Sequence, residues 1–359
     1  MTLSVRPQPF DGFCALGRDW RALEATIPAS VFQSWTWVGC LAEERFPDPV
    51  VLRAERQGRL VGLALFNRRR GLLHLGESGD PERDRPFVEH NGPLAADPEV
   101  AAALLRAAWS VPGTRGLVLG GVPPALVQAA RGVAVRRQDR PSPLLDLAAL
   151  RAAGGDLATR LSANTRQQIR RSDRFYAAGG TLELTRAGAA EEVAAWFPDF
   201  VALHEATWRR RGQAGAFATP FLERFHRSLM ARAMADGVLD LLRLTGPGGI
   251  VGLLYNLHHR GITYAYQSAL ADPAGHAAAK PGLSCHARAI ALALRRGDQA
   301  YDFLAGSQRY KLSFADRSPV LAWAELARPW SPRGILGRVR AALPRPSAPR
   351  ATDPASTGL

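Results

Sequence analysis

Residues 239–270 read LDLLRLTGPGGIVGLLYNLHHRGITYAYQSAL. Runs of Leu, Ile, Val and Tyr are broken by Gly246-Pro247-Gly248-Gly249 and again by Arg260-Gly261. Apolar β-formers between such breakers predict three strands joined by two tight turns. Upstream, Trp196, Phe200, Leu203 and Thr207 recur at i, i+4, i+7 and i+11, which predicts a helix over 190–211. A second helix over 220–235 shares Phe221, Leu222, Phe225 and Leu229 on one face, and Asp236-Gly237 ends it. A strand over 181–185 and a basic helix over 164–178 precede them. Downstream, Lys280-Pro281-Gly282 opens a helix that runs to Arg296 and closes at Gly297, followed by a strand over 300–304 and a turn at Gly306.

The first half of the chain repeats this order. Residues 53–66, RAERQGRLVGLALF, form a hairpin around Gln57-Gly58, with a further strand over 72–75. Ser34 is placed to cap a helix over 35–46. A loop over 77–93 leads to a helix over 98–109, a strand over 116–119, a helix over 123–130 and strands over 133–137 and 142–146. The hairpin at 243–256, RLTGPGGIVGLLYN, shares Val-Gly-Leu with the first, which suggests an internal duplication. The expected class is α/β (α+β), with mixed, mostly antiparallel sheets flanked by helices. The expected domains are 1–150 and 151–328, with a Pro- and Arg-rich, disordered tail over 329–359. In that tail, Leu336, Val339 and Leu343 face one way. The segment reads as a solvated tail, with peripheral membrane contact as the alternative.

Composition narrows the function. The 359 residues carry a formal charge of +14, and Lys280 and Lys311 are the only lysines. Arg enrichment beside many Ala, Gly and Pro is what codon bias produces. No single-strand binder's interleaved aromatics accompany the basic clusters at 166–174 and 209–211, so nucleic acid is not the expected partner. The field still favours anionic ligands. Three separated cysteines exclude a disulfide framework and a zinc ribbon. His204-Glu205 lacks the second His of a metalloprotease helix, so no metal is expected. Without a signal peptide or an apolar run of spanning length, the expected location is the cytoplasm.

Strand, glycine-containing loop and helix start make the 270–284 segment a candidate anion site. Lys280, Pro281, Gly282, Leu283 and Ser284 would surround unpaired amides at the helix tip. The alternative is an ordinary crossover that binds nothing. Asp302, at the end of a strand, is a candidate base or acceptor-orienting group, or a cap of the next turn. Tyr310 is a candidate proton donor or a packed aromatic, and Lys311 a phosphate or oxyanion contact or an idle surface lysine. Cys285, His204 and His226 read as buried and structural, and His286, next to Cys285 on a helix, does not face it.

Arg166, Leu203-His204, Trp208, Arg211-Gly212, Phe225-His226 and the 246–253 hairpin form a dispersed pattern. It continues through Asp272-Pro273, Pro281-Gly282, Tyr301-Asp302-Phe303, Gly306 and Tyr310-Lys311, and a weaker one covers 32–93. The resemblance these residues carry is to the BioF2-like, or CelD-type, acetyltransferases of the GNAT superfamily, related to the peptidoglycan bridge-forming FemAB proteins. It implies tandem GNAT-like units and acyl transfer to an amine or hydroxyl of a sugar, envelope precursor or small molecule. Acyl-CoA would be the donor, and Arg166, Arg170, Trp208 and Arg211 would hold the substrate. The familiar R/Q-x-x-G-x-G/A phosphate loop is reduced here to Lys280-Pro281-Gly282-Leu283-Ser284-Cys285. That keeps two alternatives open: aminoacyl transfer from tRNA, and a non-catalytic glycan- or anion-binding protein.

Overall fold

A computed structural model of the protein describes residues 3–272 and 276–342. In chain order the first elements are β1 (Leu3–Gln8), α1 (Phe13–Glu24), α2 (Trp35–Arg45), β2 (Pro49–Arg56), β3 (Arg59–Arg69), β4 (Leu72–Leu75) and β5 (Leu94–Ala95). They continue with α3 (Pro98–Ala107), β6 (Gly116–Val122), α4 (Pro124–Ala129), β7 (Val133–Pro141), β8 (Leu144–Asp146), α5 (Leu147–Ala152) and α6 (Ala163–Tyr176). Next come β9 (Glu183–Arg186), α7 (Ala190–Arg210), α8 (Pro220–Ala235), β10 (Leu239–Gly246), β11 (Gly249–His259) and β12 (Ile262–Leu270). The chain closes through α9 (Pro281–Arg296), β13 (Ala300–Asp302), α10 (Arg309–Phe314), β14 (Val320–Ala327) and α11 (Pro332–Ala342).

The class is the expected one: two mixed, mostly antiparallel sheets flanked by helices. The chain divides into two compact units, one of residues up to 140 together with the segment from 320, the other Pro141–Pro319. The boundary expected at 150 moves back to 140/141, because β8 pairs with β13 and so belongs to the second sheet. The boundary expected at 328 moves back to 319/320, because β14 pairs with β6 in the first sheet. The tail expected to be disordered begins as α11, and its residues beyond 342 lie outside those described.

The first sheet runs β1-β2-β3-β4-β6-β14-β7, with β5 pairing β3, and its β4–β6 pair is parallel. The second runs β8-β13-β12-β11-β10-β9, with β12–β13 parallel. Strand β11 is apolar almost throughout because both its faces are covered. On one face Tyr255 meets Phe200 of α7 and His226 of α8. On the other, Gly252 lies under α9, where a Cβ would come within 2.9 Å of Cys285 Sγ. Gly62 of β3 stands the same way beneath α3, with Val100 Cγ1 2.5 Å from a Cβ's position. Each hairpin also slips register beside that glycine, at Ala54/Glu55 and at Leu244/Thr245. The shared Val-Gly-Leu therefore has one cause: only glycine admits the crossover helix at that distance.

Capping follows the sequence where serine and threonine stand first. Ser34, Ser162 and Thr219 accept from the amides of Trp37, Thr165 and Leu222. Helix α9 has no such cap: Lys280 occupies the position and makes no side-chain capping bond.

Candidate functional site

In mixed sheets, ligands tend to sit where neighbouring parallel strands end and their connections part. The two units treat this place differently. In the first, loop 76–93 covers it. The Asn91 N–H donates to the Gly121 carbonyl at 2.9 Å, and Asn91 Nδ2 donates to the carbonyls of Leu75 (2.9 Å) and Gly120 (3.0 Å). A Cβ on Gly121, whose φ is +64°, would fall 2.1 Å from the Val88 carbonyl oxygen, and one on Gly120 would fall 2.5 Å from Glu77 Oε2. The chain itself occupies that ground.

In the second unit the parallel ladder stops at Tyr264↔Asp302, while β12 runs on to Leu270 paired, among the described residues, only with β11. The β11–β12 register slips between Tyr255↔Gln267 and Leu257↔Tyr264, so Ala265 and Tyr266 stand against the single buried residue Asn256. Beyond that bulge the outer edge of β12 has no strand partner among the described residues. His204 Nδ1 lies 2.9 Å from the Ser268 carbonyl, and the Ala216 N–H donates to His204 Nε2 at 3.0 Å. The ring is thus a neutral Nδ1–H tautomer, and burial lowers its pKa to about 4. His204 fixes this edge and is fully used in doing so, in keeping with its structural reading.

The helix tip after Lys280 offers less than expected. Ser172 Oγ of α6 accepts from the Lys280 N–H at 3.1 Å and lies 2.8 Å from Ser284 Oγ. The amides of Leu283 and Ser284 both donate to the Lys280 carbonyl, and Pro281 has no N–H. Ser284, fully buried, has its hydroxyl committed to α6 rather than to a ligand. Among the described residues that leaves the Gly282 amide and the half-buried Lys280 ammonium as donors without partners. Pro273, in the loop leading here, lies outside the described residues; Asp272 pairs with Arg210 at 3.0 Å.

Around Tyr310 the predicted residues gather more closely. Tyr310 is half-buried, its ring stacks on His286 with centroids 5.3 Å apart, and its hydroxyl makes no hydrogen bond among the described residues. Burial pushes its pKa up to about 12, against the pull of the Arg211 guanidinium. Arg211 in turn lies over the Trp208 ring at 5.5 Å, and Trp208 neighbours His204. His286 Nδ1 is 2.9 Å from the hydroxyl of fully buried Tyr301, and burial together with the Lys311 charge lowers its pKa to about 3. His286 and Tyr301 therefore fix the ring that Tyr310 rests on. In the sequence His286 is only a neighbour that does not face Cys285; its stacking on Tyr310 is set by α9 and α10 meeting in space, which no spacing encodes.

Three expectations change. Lys311 is 93% buried, since its relative exposure is 7%, and its Nζ donates to the carbonyls of Leu304 (3.2 Å) and Ala305 (2.9 Å). It secures the turn in which Leu304 holds a φ of +62° and is not a surface contact for phosphate. Asp302 is buried and Oδ1 accepts from the Leu304 N–H at 2.7 Å, the turn-capping geometry weighed as its other reading. Arg166 donates to the carbonyls of Ala158 (3.1 Å) and Leu161 (2.6 Å), holding the entry to α6 instead of facing a substrate. Arg170, one turn on, is exposed and without a partner among the described residues. Cys285 is fully buried, and burial raises its thiol to about 12, which removes it as a nucleophile. No group of three or more His, Cys, Asp or Glu among the described residues is arranged to hold a metal ion, and no described helix is long and apolar enough to cross a membrane.

Residues 163–312, the part of the chain containing this edge, match the acetyltransferase (GNAT) domain family. Among solved structures, the chain resembles FemX (TM-score 0.58, 9% identity, 89% of this chain and 96% of that one). It also resembles the C-terminal (DUF2156) domain of a protein designated a lysylphosphatidylglycerol synthetase from Agrobacterium fabrum (0.55, 13%, 92% and 96%). A third likeness is to L-PGS from Bacillus licheniformis (0.51, 12%, 91% and 97%). At these identities the likeness is one of fold. No curated protein matches the sequence.

Proposed function

We propose that the second unit is an acyltransferase that moves an acyl group from an activated donor, acyl-CoA before others, to an amine or hydroxyl of a small molecule or glycan precursor. The observation that carries this reading is the outer edge of β12 beyond the bulge, which no strand joins among the described residues, within a segment matching an acetyltransferase domain. A strand edge offers alternating N–H and C=O groups, which suit the amide-bearing arm of coenzyme A as they would suit an added strand. Lys280, the Gly282 amide and exposed Arg170 supply positive potential for the donor's phosphates.

The acceptor attacks the thioester carbonyl, the C–S bond breaks and the acceptor's surplus proton leaves with the thiol. Negative charge develops on the carbonyl oxygen and then on sulfur. Tyr310, with its pKa about 12, keeps its proton throughout the neutral range. Complete transfer to a thiolate is uphill, since an ordinary thiol titrates near ~8.5. Its role in this reading is to donate a hydrogen bond to the developing charge. Trp208 and Arg211 flank the acceptor side.

Calorimetric titration with acetyl-CoA, a longer acyl-CoA and free coenzyme A tests the donor: saturable binding of at least one is expected, and heats at the level of dilution for all of them overturn the reading. The exposed Arg170, Arg171 and Arg174 of α6 favour one second reading, aminoacyl transfer from tRNA. Preferential retention of charged over uncharged tRNA would replace the first reading with it.

A further inference from the structure

Helix α11 lies on the first unit with its faces reversed from the usual order. Its buried positions are Gly334 and Gly337. A Cβ on Gly337 would fall 3.1 and 3.2 Å from Val135 Cγ1 and Val133 Cγ1, so the helix rests on β7 through bare backbone. The bulky apolar side chains point the other way: Ile335, Leu336 and Val339 are 49%, 49% and 52% exposed, and Trp330, just ahead of the helix, is 81% exposed. A helix that served only its own domain would turn these residues inward. Grouped exposure of this kind marks a contact surface.

Charge identifies the occupant. No Asp or Glu occurs from 326 to 352, whereas Arg328, Arg333, Arg338, Arg340, Arg345 and Arg350 do. Arg338 lies over the Trp330 ring at 4.5 Å, and exposed Arg340 has no partner among the described residues. Beside the helix, a shallow groove of about 420 Å³ is lined by Trp109, Arg131, Arg328, Pro329, Trp330 and Ser331. Arg131 is exposed and likewise without a partner among the described residues. A second copy of this face would set arginine against arginine. The remaining sequence, LPRPSAPRATDPASTGL, has no apolar run to lay over the patch. An anionic bilayer satisfies both halves of the pattern, with apolar side chains at the acyl boundary and guanidinium groups among the phosphates.

We propose that α11 and Trp330 form a docking surface for anionic phospholipid membranes, with Ile335, Leu336 and Val339 entering the interface and Arg131 and Arg340 contacting headgroup phosphates. The test is co-sedimentation of the full chain with vesicles of phosphatidylglycerol and phosphatidylcholine, against phosphatidylcholine alone. Binding is expected to the anionic vesicles only and to weaken with salt. The triple variant Ile335→Ser, Leu336→Ser, Val339→Ser alters only outward positions. It should keep the wild-type unfolding midpoint and lose at least about tenfold in partitioning, and Arg131→Ala with Arg340→Ala about tenfold or more. No sedimentation with anionic vesicles at low salt overturns the proposal, as does undiminished binding by the serine variant. Light scattering that shows a wild-type dimer and a monomeric serine variant assigns the face to a second copy instead.

Discussion

The two units share a frame and differ at one edge. Each has a glycine-bearing hairpin under a crossover helix, Gly62 beneath α3 and Gly252 beneath α9, and each places a parallel strand pair next to it. In the first unit, Val88, Asn91 and Glu77 lie over Gly120 and Gly121 at the end of that pair. In the second, β12 outruns β13 and its edge stays unpaired by strand. The same architecture is thus closed by its own loop in one copy, whereas in the other no described strand adds to the edge and His204 holds its Ser268 carbonyl. What decides between them is the connection after the strand rather than the sheet.

The largest effect expected from this difference is on turnover. Tyr310→Phe removes the hydroxyl that makes no hydrogen bond among the described residues, and kcat should fall about 10²–10³-fold with KM little changed, as for loss of one donor to a developing oxyanion. Steady-state kinetics on the identified acceptor checks it, and an equal rise in KM would reassign Tyr310 to ground-state binding. Next, Gly252→Val should destabilise the second unit by about 1–3 kcal/mol through collision with Cys285 and Leu270, and Gly62→Val the first by a similar amount through Val100 and Leu104. Urea unfolding followed by tryptophan fluorescence reads both, and a tolerated valine at either site would break the proposed equivalence of the hairpins.

Acid should separate the units further. Burial and the neighbouring Asp84 raise Glu77 to about 8, against the pull of Arg45. A carboxyl with a raised folded-state pKa binds more protons folded than unfolded. Its contribution is therefore present at low pH and is lost as pH rises from about 4.5 to about 8. Glu77→Gln should be more stable than wild type at pH 8 and indistinguishable from it below the carboxyl's ordinary range. In the second unit His204, His259 and His286 are lowered by burial to about 4, 4 and 3, so each contributes stability that falls away as pH drops below 6.5. His74 of the first unit is lowered as well, which blunts the contrast without reversing the sign of Glu77's part. Unfolding midpoints measured from pH 8.5 to 5 for wild type and Glu77→Gln test this. The smallest effect expected is from Arg170→Ala: an exposed cation in water should weaken donor binding only about twofold to fivefold, and less at high salt.

Legibility followed the range of the interactions. Both hairpins, β4, the α7 and α8 helices and the Ser34 cap were visible because turn residues, apolar period and capping act within a few residues. β1 and β14 went unread. PVLAWAELA looks like a helix or a strand with equal ease, and only β6, some 200 residues earlier, makes it a strand. At the site, Tyr310, Arg211 and Trp208 were each named from the sequence, but that the Arg211 charge acts on Tyr310 was not legible. Nor were the commitments of Lys311, Ser284 and Arg166, because Leu304, Ser172 and Ala158 hold them through tertiary contacts.

The pairing of β14 with β6 also bears on how the protein is made. Residues 141–319 form an unbroken stretch that has all its strands in hand by the time Pro319 is synthesised. The first sheet, though begun at Leu3, must wait for Val320–Ala327 to insert beside β6. Until then β6 keeps an open edge, an exposed template for pairing with other chains. A chain made as far as Pro319 but no further would therefore hold a finished second unit and an unfinished first one, so the order of birth and the order of completion are inverted.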